Sequence, residues 1–359
     1  MKTHKLLFCL GILSSLIAVN RAPAQTPPSL GLQFSGGQPS LSLTGTVGVV
    51  YSIQYATNLS ATSQWTDRTL LQAKVGSTVW TEPSAPTPSQ RFYRAVSVPA
   101  PADINLVFIQ PGTFTMGSPT NEALREPFGT DETQHSVTIS RGFWMGRFLV
   151  TQGDYLAVVG SNPSSFTFAN GFSDDLTRPV ETVSWFDATN YCALRTAQER
   201  TAGLIPTNYV YRLPTESEWE YADRAGTTTA FYLGSGLHSG QANFDGRYEY
   251  DAASGLIYNP SGIYPGTTTP VGSYAANSWG LYDMIGNVWE WCQDWNGPYP
   301  TGSVTDPQGA AYYGSYPVFR GGYWDNYAQN SRSAKRGKYY PFETFGGLGF
   351  RVVLAPGQP

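Results

Sequence analysis

The sequence predicts a loop-rich α+β domain that is preceded by a small all-β module. The first observation that predicts this fold is the composition: the 359 residues include 38 glycines and 26 prolines. Aromatic residues reach 14% and charged residues only 13%, against about 25% charged residues in typical globular proteins. This composition favours irregular loops packed around Trp, Tyr and Phe. The order of elements is the second observation, since strand signals dominate the beginning and three helix starts follow.

The first 24 residues have the layout of a secretory signal peptide. Lys2 and Lys5 form a basic start, residues 6–19 are apolar, and residues 22–24 (Ala-Pro-Ala) form a cleavage site. A membrane anchor is the alternative, but the apolar run is shorter than the about 20 residues that span a bilayer. We expect removal near Ala24 and a secreted or periplasmic protein without a membrane span.

The charge of the chain argues against one class of partner. Removal of the signal peptide takes away three cations, so the net charge moves from −4 to about −7. The remaining Lys and Arg residues are scattered, whereas nucleic-acid binding requires a basic patch. We therefore expect no nucleic-acid partner.

Residues 26–97 predict a small β-sandwich. The segment "LSLTGTVGVVYSIQYATNLS" alternates apolar and polar residues, and "GSTVWTEP" and "QRFYRAVSV" repeat the pattern between clusters of Gly, Pro, Ser and Asn. Residues 98–103, "VPAPAD", form a Pro/Ala linker. A larger domain then occupies residues 104–354 and begins with the strand-like "NLVFIQPGTFTMG".

Three helix starts are marked by a capping residue followed three positions later by an acid. The pairs are Thr151 and Asp154, Ser184 and Asp187, and Thr215 and Glu218. The third is the clearest, and Gly226 is its stop signal. Glu218 is therefore interpreted as a capping carboxylate rather than a catalytic acid, and Trp219 as the core anchor of the helix.

Two cysteines remain after removal of the signal peptide, Cys192 and Cys292. Their spacing does not fit a zinc site, and two cysteines do not make a disulfide framework. They could pair if the fold brings them together. We favour two buried thiols, because free cysteine is commonly buried.

The larger domain resembles the formylglycine-generating enzyme (sulfatase-modifying factor) family. The motifs "RLPTESEWEYADRAG", "PVGSYAANSWGLYDMIGNVWEWCQDW", "FRGGYWDN" and "GLGFRVV" occur in the order of that family, and "FIQPGTFTMGS" and "FWMGRFLVTQGDY" fit its beginning. The resemblance covers almost all of residues 104–354. It implies a variant of the C-type lectin fold, an α+β architecture with little regular structure.

The resemblance also implies that the family's oxidase chemistry is missing. The oxidases hold copper with two cysteines, and those positions are Asn326 and Ser331 in this sequence. Neither side chain supplies the thiolate that binds a soft metal. A second branch of the family holds iron with three histidines, whereas the mature chain has only His135 and His238. We expect neither copper nor iron.

One structural calcium site is implied by "YDMIGNVWE". The family ligands match Asp283, the carbonyls of Gly286 and Val288, and Glu290, and such oxygen ligands suit a hard cation. The alternative is that Asp283 and Glu290 only form hydrogen bonds inside a tryptophan cluster.

A second calcium site of the family is less complete. Asn243 and Phe244 match its first half, but Ser261 or Gly262 stands where an acid is expected, and Asp245 is a possible substitute.

The resemblance also implies that both cysteines lack their family partners. Cys192 would pair with the position of Val352, and Cys292 with the position of Ser331.

The C-terminal segment "RGGYWDNYAQNSRSAKR" and the following "GKYYPFET" predict an aromatic binding face. Tyr and Trp supply large rigid contact areas, and Asn, Ser and Gly supply adaptable hydrogen bonds. The expected ligand-binding residues are Tyr323, Trp324, Asp325, Asn326, Tyr327, Ser331, Lys338, Tyr339, Tyr340 and Phe342. The alternative is that these aromatic residues fill the core. The segment also resembles the variable region of family members that are diversified by retroelements.

Charged residues in the same region are Asp325, Glu343, Arg332, Lys335 and Arg336. No spacing among them indicates a reaction class, and we expect solvated loop charges.

Together these inferences predict an exported, non-catalytic protein that binds a peptide or protein ligand, or a glycan. The alternative is an enzyme or accessory factor that acts on sulfatases or another substrate through an unrecognised site.

Overall fold

The computed structural model describes residues 27–60, 62–83, 90–125, 132–310 and 316–357. The expected signal peptide therefore lies outside the described residues. Within them, no helix is long and apolar enough to cross a membrane.

The N-terminal module is a two-layer β-sandwich. Its described strands are β1 (Ser29–Ser35), β2 (Gln38–Thr44), β3 (Val50–Ala56), β4 (Thr66–Gln72), β5 (Thr78–Thr81) and β6 (Phe92–Ser97). One sheet has the order β1-β2-β5 and the other β4-β3-β6. Leu41, Leu43 and Trp80 of the first sheet pack with Tyr51 and Ile53 of the second. The alternation in the sequence corresponds to one buried side in β2. The second sheet is buried on both faces in part, because Val50 and Leu70 pack in the core of the larger domain.

The module packs against the larger domain. The Trp80 Nε1 group donates to the carbonyl of Ser140 at 3.1 Å. Gln110 donates through Nε2 to the carbonyl of Gln72 at 2.7 Å. The Pro/Ala linker at residues 98–103 is held as well, because the carboxylate of its last residue, Asp103, pairs with the half-buried Arg195 of the larger domain at 2.6 Å.

Three helices begin where the capping pairs predict them, which confirms that part of the sequence analysis. They are α1 (Gln152–Val159), α2 (Trp185–Thr201) and α3 (Glu216–Arg224), and each has a complete capping box. Trp219 of α3 is fully buried, as expected. The helix ends one residue earlier than Gly226 suggests, because Ala225 takes the left-handed C-cap conformation with φ 45°.

The strands of the larger domain are short. In the described chain they are β7 (Leu106–Ile109), β8 (Gly112–Met116), β9 (His135–Ile139), β10 (Phe143–Gly146), β11 (Tyr209–Arg212), β12 (Tyr248–Asp251), β13 (Gly255–Tyr258), β14 (Trp289–Trp295), β15 (Val304–Thr305), β16 (Pro317–Arg320), β17 (Gly337–Lys338), β18 (Leu348–Gly349) and β19 (Val353–Pro356). Short 3₁₀ segments cover Phe168–Asn170, Asp175–Thr177 and Ala328–Ser331.

These strands form small sheets rather than one large sheet. Two have four strands, in the orders β11-β19-β10-β7 and β17-β16-β14-β18. In the first, β10 lies between β7 and β19, so the beginning and the end of the domain are joined. A three-stranded sheet, β15-β9-β8, and a two-stranded sheet, β12-β13, complete the described sheets of this domain. The second four-stranded sheet carries the loop after β16 and therefore positions the expected binding face.

Buried aromatic residues fill the space between the sheets. Trp219 and Trp291 are fully buried, and Trp291 donates through Nε1 to the carbonyl of Val183 at 3.0 Å. Cys192 and Cys292 lie in different core clusters and are unpaired. The prediction of two buried free thiols is confirmed.

Candidate ligand-binding face

Two glycines turn the chain outward after β16. Gly321 and Gly322 have φ angles of 100° and 78°, which glycine adopts without steric cost. A Cβ on Gly322 would lie 2.1 Å from Ser331 Oγ, so a larger residue does not fit. Residues 323–327 therefore pass over the surface before the chain returns beneath it at Ser331.

Two arginines of this segment are buried under the face. Arg320 pairs with Glu220 and lies 3.3 Å from a carboxylate oxygen of Glu216. Arg332 donates to both carboxylate oxygens of Glu132, at 2.8 and 2.9 Å. Both guanidinium groups have no exposed area. The expectation that Arg332 is a solvated loop charge is therefore wrong, because a distant buried carboxylate holds it.

The same correction applies to Arg336. Its guanidinium bonds both oxygens of Glu216, at 2.6 and 2.8 Å. Lys335 and Glu343 are half-buried, and only Asp325 of the five expected loop charges is exposed. The two arginines therefore stabilise the fold through ion pairs instead of facing solvent as free charges.

The first part of the face is a chain of aromatic rings. The Tyr323 ring lies 5.6 Å from the Trp324 ring and 5.5 Å from Phe345, and Trp324 meets Phe166 at 5.7 Å. Trp324 Nε1 donates to the carbonyl of Gly346 at 2.8 Å. Tyr323 and Trp324 are half-buried, so each ring has one side fixed by packing and another at the surface.

Neighbouring polar groups come from a segment that sequence analysis did not assign to the face. The Tyr264 hydroxyl donates to Asp325 at 2.5 Å, and the Arg247 guanidinium lies 4.2 Å from the Tyr264 ring centroid. Burial, together with the Asp325 carboxylate, raises the pKa of Tyr264 to about 12. The phenol therefore keeps its proton and remains a donor.

Tyrosine pairs extend this surface. Tyr327 stacks on Tyr248 with ring centroids 3.9 Å apart, and Tyr248 lies 5.4 Å from Tyr258. Residues 247–264 could have been found in the sequence, because "RYEYDAASGLIYNPSGIY" has the same mixture of Tyr, Asn, Ser and Gly as the C-terminal segment. We define the Trp324 patch by its surface residues: Phe166, Arg247, Tyr248, Tyr264, Tyr323, Trp324, Asp325 and Tyr327.

The remaining aromatic residues form a separate group. Tyr340 stacks against Phe342 at 5.3 Å and lies 4.7 Å from Tyr316, with Tyr339 beside it at 6.4 Å. Tyr339, Tyr340, Phe342 and Lys338 are exposed. We call Tyr316, Tyr339, Tyr340 and Phe342 the Phe342 patch. Ring contacts of the described residues do not join it to the Trp324 patch, so the expected face consists of two surfaces.

The resemblance to the family places Asn326 and Ser331 at the positions of the two copper cysteines of the oxidases, and this correspondence stays a prediction. Ser331 is only 1% exposed, which corrects its assignment to the surface: the close approach of Gly322 places it below the patch. Its Oγ atom and Asn326 Oδ1 are buried without a hydrogen-bond partner among the described residues. A hydroxyl and an amide are hard ligands, and a copper site of the thiolate type does not fit them.

The two cysteines that the structure describes do not replace these ligands. Burial raises the pKa of Cys192 to about 12 and raises that of Cys292 well above its usual value. Because the thiolate is the reactive and metal-binding form, both cysteines have the character of core residues.

The expected calcium loop has one carboxylate already engaged. Glu290 is fully buried, and both its oxygens accept hydrogen bonds from Arg351, at 2.5 and 2.7 Å. Asp283 accepts from the backbone N–H of Gly272 at 2.7 Å, and burial raises its pKa to about 6. No group of three acidic, His or Cys side chains suited to a metal occurs in the described ranges. Asp283 is thus the better-placed ligand, and calcium stays a prediction.

Backbone geometry in this loop does match the expectation for Gly286. Its φ is 74°, and a Cβ would lie 2.1 Å from the carbonyl oxygen of Asn243. Val288 is fully buried.

At the second expected calcium site, both oxygens of Asp245 accept hydrogen bonds from Arg247 at 2.7 Å, so this carboxylate is already paired with a cation.

Comparisons with known proteins agree with this architecture. The family model of the sulfatase-modifying factor enzyme 1-like domain matches residues 95–356. The chain is 38% identical over 183 residues to a formylglycine-generating enzyme of Streptomyces coelicolor, covering 49% of this chain and 52% of that protein. It is 29% identical over 265 residues to the chaperone protein LppX of Paenibacillus barcinonensis, covering 63% and 85%. The structure of variable protein 1 of Treponema denticola matches with a TM-score of 0.54 at 25% identity, covering 76% of this chain and 98% of that one.

The fold and the site therefore define a loop-rich α+β protein of the C-type-lectin-like class, as the sequence predicted. More particularly, the chain belongs to the sulfatase-modifying factor enzyme 1-like (FGE-sulfatase) family. It spans about half the length of the Streptomyces enzyme, so the activity of that whole protein does not transfer with the family membership.

Proposed function

We propose that this protein is an exported binding protein of the family, without oxidase activity, and that the Trp324 patch binds a peptide or protein ligand. The proposal rests on Asn326 and Ser331, which the resemblance to the family aligns with the copper ligands of the oxidases. Neither side chain supplies the thiolate that the oxidase chemistry requires.

The shape of the Trp324 patch supports recognition. Tyr323 and Trp324 are fixed by ring contacts and by the bond from Trp324 Nε1 to Gly346. Rigid aromatic residues lose little side-chain entropy when a ligand binds. Asp325 is exposed and Arg247 is half-buried at the same surface, so charged groups of both signs lie beside the rings, with Arg247 paired to Asp245. A peptide, with its backbone donors and acceptors and mixed side chains, suits such a surface.

A relative supports a protein ligand in particular. LppX of Paenibacillus barcinonensis is named a chaperone, and the match covers 85% of its length. A chaperone contacts other proteins, so a protein-binding surface on this fold is a reasonable inference. Glycan is the second candidate ligand, because exposed aromatic rings such as Tyr327 also stack on sugars.

The test combines turnover with binding. Purified protein is incubated with copper, oxygen and a sulfatase-type cysteine peptide, and mass spectrometry follows the thiol. We expect no formylglycine, and retention of the peptide on immobilised protein. Formylglycine product would overturn the proposal and favour the alternative, an enzyme acting on sulfatases.

Variants locate the binding surface. Trp324→Ala should weaken peptide retention, because it removes the central ring of the patch. The matched control is Phe34→Ala, since Phe34 is an exposed aromatic residue, 70% accessible, on the β-module. Equal retention by both variants would contradict binding at the Trp324 patch. A glycan array on the same proteins distinguishes the second candidate ligand.

A further inference from the structure

A separate cavity lies at the N-terminal end of α3. Its volume is about 420 Å³, and it extends to the end of β14 and the loop that follows. Cavities of about 300 to 1,000 Å³ are typical of small-molecule sites. None of its described lining residues belongs to the Trp324 patch or the Phe342 patch.

The chemistry of this cavity centres on Asp294. The residue lines the cavity and is only 3% exposed. Its Oδ2 atom accepts a hydrogen bond from the backbone N–H of Glu216 at 2.8 Å. Within the described chain no cation pairs with it. A buried carboxyl group without a cation is costly in its ionised form.

The surrounding charges push Asp294 toward its neutral form. Burial raises its pKa to about 8, and the carboxylates of Glu216 and Glu218 on α3 add to this effect. Arg336 and the Glu216 N–H oppose it. The empty cavity thus holds a carboxylic acid near neutral pH that would ionise beside a cation.

The other residues that line the cavity favour a ligand that donates hydrogen bonds. His135 lines the cavity, and its Nδ1 donates to the carbonyl of Thr133 at 3.0 Å, which leaves Nε2 as an acceptor. The cation in the wall, Arg336, is already bonded to both oxygens of Glu216. An anionic ligand would have to displace that ion pair, whereas an ammonium group finds Asp294 and His135 as acceptors.

We propose that this cavity binds an organic amine, whose ammonium group forms an ion pair with the carboxylate of Asp294. Apolar lining from Met116, Pro298, Pro300 and Val304 accepts the hydrocarbon part of the ligand. Binding releases the proton of Asp294 to solvent, while the amine keeps its own proton. The site is independent of the peptide-binding proposal, because it uses a different surface.

Calorimetry with benzylamine tests the proposal, and benzyl alcohol is the neutral probe of the same shape. We expect benzylamine to bind to the unmodified protein and benzyl alcohol to bind at least about tenfold more weakly, a difference of about 1.4 kcal/mol. Because binding releases a proton, benzylamine affinity should rise by up to about tenfold per pH unit between about pH 6 and pH 8. This pH series needs no variant.

Asp294→Asn should weaken benzylamine binding by at least about tenfold. Asp67→Asn is the matched control, because Asp67 is exposed on strand β4 of the N-terminal module and does not line the cavity, and the benzylamine affinity of this variant should equal that of the unmodified protein. Equal affinity for the two probes, affinity independent of pH, or no binding of benzylamine at millimolar concentration would each overturn the proposal.

Discussion

The buried arginines of this domain and the aromatic residues on its surface have opposite environments. Arg320, Arg332 and Arg351, which we call the arginine frame, are fully buried, and each pairs with at least one glutamate. The Trp324 patch, in contrast, consists of rings and polar groups that are half-buried or exposed. Tyr327, for example, is 38% accessible.

This difference shows how a fold with little regular structure is held together. Arg320 donates to the carbonyl groups of Ser333 and Lys335, at 2.9 and 2.5 Å, in addition to its glutamates. Charge-assisted hydrogen bonds of this kind fix loops that lack sheet or helix bonding. The surface residues need not perform this task, so the patch can change in sequence while the frame stays intact.

The largest effect should come from breaking the frame. Arg320→Met leaves Glu216 and Glu220 buried with one cation fewer, and loss of one partner of a buried pair costs about 3–5 kcal/mol. We expect a corresponding fall in the free energy of unfolding, measured by urea denaturation. Arg94→Met is the control, because Arg94 is exposed on the β-module. An equal loss in both variants would contradict the role of the frame.

A second prediction concerns calcium binding in the loop of Asp283, whose neighbour Glu290 is bonded to Arg351 of the frame. If Asp283 and the neighbouring carbonyls bind the ion, calcium at 100 times its dissociation constant should stabilise the protein by about 2.7 kcal/mol. Asp283→Asn should abolish this gain, and magnesium serves as the control ion. Thermal unfolding with and without EDTA measures the effect. No calcium effect in the unmodified protein would mean that Glu290 serves Arg351 alone and that the calcium prediction is wrong.

The smallest effect on stability should come from the surface. Tyr327→Ser removes an exposed ring that stacks on Tyr248, and surface substitutions usually change stability by less than about 1 kcal/mol. Urea denaturation should therefore give nearly the unmodified value, while peptide retention weakens. A loss as large as that of Arg320→Met would remove the distinction between frame and surface.

Local features of this protein were predictable because their causes are local. In each capping box, such as Thr215 with Glu218, the two side chains bond backbone N–H groups within one turn of helix. The strands of the β-module follow from alternation within a few residues. The residue types at positions 326 and 331 can also be read directly from the sequence, and neither Asn326 nor Ser331 carries a thiol.

The environment of each charge was not predictable in the same way. Arg332 is 200 residues from its partner Glu132 in the chain, and nothing near it in the sequence indicates burial. Only the packed domain brings these groups together and excludes water, which turns an expected solvated charge into part of the frame. Tertiary packing also places the tyrosines of residues 247–264 in the Trp324 patch.

The sequence by itself thus determined the helices, the β-module and the family, because short-range hydrogen bonding, alternation and residue chemistry specify them. The tertiary structure decided that Ser331 is buried, that the expected aromatic face divides in two, that Arg351 holds Glu290, and that Asp294 lines a cavity. Each of these depends on which distant segments exclude water from one another, and that is settled only when the whole chain packs.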